Sequence, residues 1–206
     1  MKTKARQLSQ PANRGRLVTT AGWLLAVLLL AGCSQTPPTP YATAYEDALG
    51  RYPGTTPVTD ASVDRFIAFF SHQQAAAGAE PVDPAAMYAD RFYFSDTLVT
   101  TEDPALALAH LRRMRSSAED LEVRLLNRLD DGADVYLIWQ MRATFTPVRS
   151  PVTSNTIGMT HLRFDDAGRI VLHQDFWDAS EGFYQHVPVL GSIIHRIRRG
   201  FDHDDQ

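Results

Sequence analysis

The chain has a single cysteine, Cys33. Without a second thiol it has no disulfide framework, no thiolate metal site and no dithiol redox chemistry. Glycine loops that cradle phosphate are missing, and so is the G-x-S-x-G nucleophile turn. ATP-driven and serine-hydrolase readings therefore lose support. Neither H-x-E nor H-E-x-x-H occurs, so no metal site is expected, and nothing in the sequence calls for a cofactor. No internal repeat is present, and no basic stripe is interleaved with aromatics as in nucleic-acid binders.

What the sequence does have begins at its first residue. Residues 1–16 carry Lys2, Lys4, Arg6, Arg14 and Arg16 with no acid, and an almost wholly apolar run of about 14 residues follows, Leu17 to Leu30. The run ends at Leu30-Ala31-Gly32-Cys33. A positive region, an apolar core and a small-residue cleavage site form a secretory signal over residues 1–32. A retained transmembrane anchor is the alternative, and the core falls short of the roughly 20 residues a span requires. Leu-Ala-Gly-Cys resembles the lipobox of bacterial lipoproteins. That resemblance implies that Cys33 is acylated and that membrane lipid is a partner. Each buried methylene contributes about 0.8 kcal/mol, so several chains release slowly. Ser34 rather than Asp follows the cysteine, which in such lipoproteins implies sorting to the outer membrane. The expected location is the cell envelope, on the periplasmic face of the outer membrane. Removing residues 1–32 takes away five basic side chains and no acidic one, moving the formal charge from -4 to about -9. Such a surface repels nucleic-acid phosphates, and no nucleic-acid partner is expected. About 174 residues remain, enough for one domain with a full core.

Residues 33–60 are rich in proline and threonine with no sustained apolar period, and read as a semi-extended tether. Tyr41, Tyr45 and Tyr52 hint that part of it packs on the domain. The domain itself is expected over 61–187. Val63, Phe66, Ile67 and Phe70 fall at i, i+3, i+4 and i+7 of a helix, with Ser62 as N-cap and Gly78 as stop. A short second helix is predicted from Pro84 to Ala89, a strand from Phe92 to Thr100, and a third helix opening at Asp103-Pro104. Strands at Leu121–Leu129 and Val135–Phe145 flank Asp130-Asp131-Gly132. Strands at Thr156–Phe164 and Ile170–Trp177 flank Asp165-Asp166-Ala167-Gly168, a second hairpin signal. Helices first and antiparallel strands after them indicate an α+β fold. Residues 188–206 hold a basic amphipathic helix with an acidic tail. Ile193, Ile194 and Ile197 lie beside His195, Arg196, Arg198 and Arg199. Its apolar stripe either closes the sheet or lies on anionic lipid.

Two stretches carry a further resemblance. Met87-Tyr88-Ala89-Asp90 leads to Phe94-Ser95-Asp96, and Leu162 to Ile170 leads to Asp175-Phe176-Trp177-Asp178. Together with the element order they resemble the nuclear-transport-factor-2-like superfamily of SnoaL-like cyclases, ketosteroid isomerases and scytalone dehydratases. The resemblance implies a cone-shaped, strongly curved antiparallel sheet packed with about three N-terminal helices around a pocket. It also implies Asp96 as an isomerase-type general base, with Phe66 and Thr160 where the isomerase has its tyrosine and acid donors. Phenylalanine cannot donate a hydrogen bond and threonine is the weaker donor, so steroid isomerisation by that route is disfavoured. Asp175 resembles the aspartate of SnoaL-like cyclases that removes a proton beside a carbonyl. On a strand it shares a face with His173 and Trp177, and a carboxylate desolvated beside tryptophan suits general-base work. Phe94, Trp139, Thr160 and Trp177 are candidates for pocket walls that contact a ligand. His161 and His173 lie on neighbouring strands without a third metal ligand. The leading expectation is a pocket domain that binds a small apolar ligand. The alternatives are a cofactor-free isomerase, cyclase or dehydratase, and a homodimer formed through outward strand residues such as Tyr136, Ile138 and Arg142.

Overall fold

The two hairpins set the frame. Strand β3 (Ala118–Asp131) runs antiparallel to β4 (Asp134–Phe145) through a two-residue turn in which Gly132 takes φ 64°, a conformation that glycine adopts without a Cβ penalty. β5 (Val152–Phe164) and β6 (Ile170–Trp177) are joined through Asp165. Its carboxylate accepts from the backbone N–H of Ala167 at 3.0 Å and of Arg169 at 2.8 Å, and Gly168 takes φ 70°. These turns are the ones the sequence signals. The computed structural model describes residues 40–55, 58–70 and 83–201. The signal segment, Cys33 and Gly78 lie outside the described residues.

The six strands form one sheet in the order β2-β1-β6-β5-β4-β3, where β1 is Tyr88–Ser95 and β2 is Thr100–Thr101. Pairing is antiparallel except between β1 and β6, which run parallel. β1 also starts four residues before the predicted strand, because Tyr88 pairs with Ile170. The expected helix at Pro84–Ala89 shrinks to a 3-10 turn over Pro84–Ala86, capped by the Asp83 side chain. Register shifts in β3 at Ala118/Asp120 and Leu125/Asn127 raise the local twist and curl the sheet.

Three longer helices precede β3. α1 is Tyr41–Arg51, α2 is Asp60–Phe70 and α3 is Pro104–Ser117. Asp103 caps α3 by accepting from Ala105 N–H at 2.9 Å, and Pro104 occupies the first helical position, where its missing N–H costs nothing. In α2 the capping side chain is Thr59 rather than the expected Ser62, because Thr59 Oγ1 accepts the Ser62 N–H at 3.3 Å. Val63, Phe66 and Phe69 of α2 bury against the concave face of the sheet, where Phe94, Leu137, Leu162 and Ile170 complete the core.

The tether expected over residues 33–60 contains α1, which packs on the opposite, convex face. Ala48 and Tyr52 are buried there with Tyr93 and Leu172. Arg163 reaches the C-terminal end of α1 and donates to the carbonyls of Leu49 at 2.7 Å and Tyr52 at 3.2 Å, which satisfies orphan helix-end acceptors. Residues from Tyr41 onward form one compact unit whose described core lies wholly within it. The strand pairings and core contacts of the described residues all lie inside that unit. After β6 come a short helix, α4 (Ala179–Gly182), and a final helix, α5 (Leu190–Phe201).

Candidate functional site

The concave face of the sheet, α2, α3 and the segment after β6 line a partly open cavity of about 240 Å³. Its wall is mostly hydrocarbon: Phe66 and Phe70 come from α2, Met114 from α3, Leu137 and Met141 from β4, with Phe145 at the end of that strand. Against this background the polar side chains stand out. Asp96, Ser117, Ser154, Thr160 and Asp175 reach the wall, and Trp139 and Trp177 line it as well.

Strand pairing places Thr160 opposite Asp175, and Leu137 opposite Thr160. The result is a continuous hydrogen-bonded chain. The Trp139 indole N–H donates to Thr160 Oγ1 at 2.8 Å, and the Thr160 hydroxyl donates to Asp175 Oδ1 at 2.5 Å. His173 Nε2 lies 3.0 Å from the same oxygen, and the Tyr88 hydroxyl lies 2.6 Å from His173 Nδ1. Burial, with the negative charges of Asp175 and Asp96 nearby, pushes the Tyr88 phenol well above its ordinary pKa. A carboxylate oxygen only accepts, so His173 Nε2–H donates to Asp175, and Nδ1 of that neutral ring accepts from the protonated Tyr88 hydroxyl. Asp175 Oδ2 receives no hydrogen bond from the described residues, and the side chain keeps 15% of its surface exposed. One carboxylate oxygen is fixed, and the other is available to a molecule in the cavity.

Asp96 is differently placed. Its Oδ1 accepts the backbone N–H groups of Leu98 at 3.1 Å and Val99 at 2.8 Å, and its Oδ2 lies 2.5 Å from His110 Nε2. Both oxygens are occupied, and only 4% of the side chain is exposed. Its backbone carbonyl accepts from the Trp177 indole at 2.8 Å, which ties the turn after β1 to the end of β6. Thr97, next in that turn, holds φ 70°, an outlier for a β-branched residue, and its buried hydroxyl has no partner among the described residues. Another buried hydroxyl without such a partner, Ser154 Oγ, belongs to the cavity wall. Ser154 Oγ is thus a hydrogen-bonding group without a partner among the described residues on an otherwise mostly apolar wall.

The sequence-predicted residues thus divide. Asp96, Asp175, Trp139, Thr160 and Trp177 converge on one cavity. Phe94 does not line it: the side chain is fully buried in the core, its ring 5.0 Å from that of His173. Phe66 does line it and packs on His173 at 5.2 Å. His161 and His173 sit on opposite faces of the sheet, because His161 belongs to the convex-face cluster with Tyr45, Asp134 and Arg163. α1 covers part of that face, so Tyr93, Leu172 and His161 are unavailable to a second copy. Sequence reasoning missed His110 and Tyr88. No spacing signal links Asp96 to a histidine 14 residues on, and Tyr88 fell in a segment expected to be helical.

A family model described as the SnoaL-like domain matches residues 63–173, just over half of the chain. No functionally curated protein matches the sequence. Among solved structures, the chain is similar to a protein with a ketosteroid isomerase-like fold from Catenulispora acidiphila, in complex with trimethylamine. Identity is 15%, coverage 61% of this chain and 91% of that one, and the TM-score 0.47. It is also similar to an LEH-like epoxide hydrolase from M. tuberculosis, at 18% identity, with 68% and 94% coverage and a TM-score of 0.46. An NTF2-like protein from an Exiguobacterium species matches at 14% identity, with 57% and 98% coverage and a TM-score of 0.44.

Proposed function

Since the chain belongs to the SnoaL-like domain family, we propose that its cavity takes up a small, mainly apolar molecule and holds one polar group of it at Asp175. The observation that carries this reading is an almost wholly apolar wall broken by one carboxylate oxygen that nothing else in the described structure binds. A cavity of about 240 Å³ has room for a molecule larger than benzene, which an apolar cavity of about 150 Å³ accommodates. Ser154 offers a second contact. The wider setting is an envelope lipoprotein, acylated at Cys33 and held on the periplasmic face of the outer membrane. If Cys33→Ala still fractionated with lipid-modified membrane protein, that setting would be wrong.

The unit from Tyr41 onward keeps two of the three tryptophans, and both line the cavity. Titration of this unit with apolar alcohols should therefore change tryptophan fluorescence saturably. A hydrogen bond to a charged group contributes about 1.5–3 kcal/mol, so Asp175→Asn should weaken binding roughly tenfold or more. Absence of saturable binding, or equal affinity in Asp175→Asn, counts against the proposal.

A second reading is favoured by the Asp175–His173–Tyr88 chain: cofactor-free isomerisation, cyclisation or dehydration of the bound molecule. Asp175 would take a proton from carbon, with His173 and Tyr88 orienting its carboxylate. Asp96, with both oxygens engaged, would hold the turn instead. Turnover that survived Asp175→Asn unchanged would remove this reading.

A further inference from the structure

α5 packs on the rest of the domain with the wrong side for a helix of its composition. At 100° per residue, Leu190, Ile193, Ile194, Ile197 and Phe201 fall within one arc, the apolar side. The docked side is the neighbouring arc, where Gly191 is buried and Ile194 and Arg198 are half-buried. Gly191 lets the helix approach so closely that a Cβ there would overlap the carbonyl oxygen of Gln185. Arg198 donates to Asp178 Oδ2 at 3.1 Å and pairs with Glu181, which fixes the helix to α4. Held in this way, Ile193 is 51% exposed, Ile197 57% and Phe201 80%. Val189, just before the helix, takes φ 70° and is 76% exposed, so a strained turn presents one more apolar side chain outward.

We propose that α5 is an interfacial helix that seats this end of the domain on an anionic membrane. The occupant follows from charge. α5 carries three arginines and no acid, in a chain with 24 acidic against 20 basic residues. Arg196 borders the apolar arc on one side and Arg198 on the other, Arg199 lies on the opposite side of the helix, and neither Arg196 nor Arg199 makes an ion pair with the described residues. An apolar stripe bordered by arginines matches the acyl and headgroup layers of an anionic leaflet. No described helix is long and apolar enough to cross a membrane, and α5, with 12 residues, lies along the surface. The placement also concerns the cavity, since Gly182 and Phe183, at the end of the α4 segment that Arg198 grips, are part of its wall. A seated α5 brings that wall to the lipid from which an apolar molecule would come. The helix stands on its own evidence and needs no ligand in the cavity.

The test is co-sedimentation of the unit from Tyr41 onward with phosphatidylglycerol-containing vesicles and with pure phosphatidylcholine vesicles. Binding is expected to the anionic vesicles and to weaken with salt. Arg196→Gln should lower affinity about fivefold, Arg199→Gln by less, and Ile197→Asp at least tenfold. Because Ile197 is exposed, Ile197→Asp should unfold at the wild-type urea concentration, which separates lost binding from lost fold. Replacing the acidic Asp202, Asp204 and Asp205 by asparagine should raise affinity. No binding to anionic vesicles, or binding indifferent to Ile197→Asp, overturns the proposal. Self-association that Ile197→Asp abolishes, without vesicle binding, assigns the stripe to a second copy and overturns it equally. Fluorescence titration of the cavity reads neither outcome, so the two proposals fail separately.

Discussion

Replacing Thr160 by valine removes one oxygen atom and leaves the shape of the side chain nearly unchanged. That atom joins two groups: it accepts from the Trp139 indole at 2.8 Å and donates to Asp175 Oδ1 at 2.5 Å. Thr160 is 1% exposed, so the loss occurs where water replaces it poorly. An orphaned buried donor costs about 1–3 kcal/mol, and a hydrogen bond to a charged group contributes about 1.5–3 kcal/mol. Asp175 retains His173 and some exposure, which offsets part of the second loss. Thr160→Val should therefore destabilise the unit from Tyr41 onward by about 2–4 kcal/mol, lowering Tm by roughly 5–15 °C. Urea unfolding followed by far-UV circular dichroism measures it. The decisive addition is Trp139→Phe, which removes the orphaned donor. Made in the valine background, it should cost less than in the wild type, with a coupling of about 1 kcal/mol or more. A valine variant within about 0.5 kcal/mol of wild type, or strictly additive mutations, would refute the account of this network.

Burial pushes the His161 imidazole below its ordinary pKa, against the opposing pull of Asp134. The unfolded chain therefore takes up a proton below about pH 6.5 that the folded one does not. This contribution is full above that pH and is lost as pH falls, by at most about 1.4 kcal/mol per unit. His161→Gln should flatten urea stability between pH 7.5 and 5.5 relative to wild type; identical slopes would contradict this. A Cβ at Gly158 would overlap the Trp139 ring, so Gly158→Ala should shift indole emission and cost about 1–3 kcal/mol in the same unfolding assay. Thr97→Gly should relieve the left-handed strain and raise stability by about 1 kcal/mol in urea, since glycine adopts φ near 70° freely.

Period and turn chemistry made much of the fold legible. Alternation along Val135, Leu137 and Trp139 put these residues on the concave face, and both hairpin turns carry glycine where φ is positive. Proline and threonine around Tyr41–Arg51 masked a helix whose inward residues, the partly buried Tyr45 and the buried Ala48, recur at helical spacing, with Tyr52 buried just past its end. The parallel pairing of β1 with β6 was not legible, because it joins segments more than 70 residues apart through packing rather than through any turn. At the site, Asp175 and Thr160 were readable from strand parity and the resemblance. The neighbourhood of His173 and Asp175 on one face of β6 was readable as well, but the links of this pair to Thr160 and Tyr88 were not, since contacts between strands depend on register. Phe94 illustrates the converse. An aromatic on a strand reads equally as wall or core, and only the packing on His173 and His110 decides for core.

The proposed occupant of the cavity is a small apolar molecule. Native mass spectrometry of the protein purified from its own host tests it most directly, with Ala143→Trp as the control, because Ala143 lines the cavity and an indole there would occupy it. A small apolar species is expected on the wild type and not on Ala143→Trp. A wild-type protein that is consistently empty, or a species retained equally by both, would contradict it.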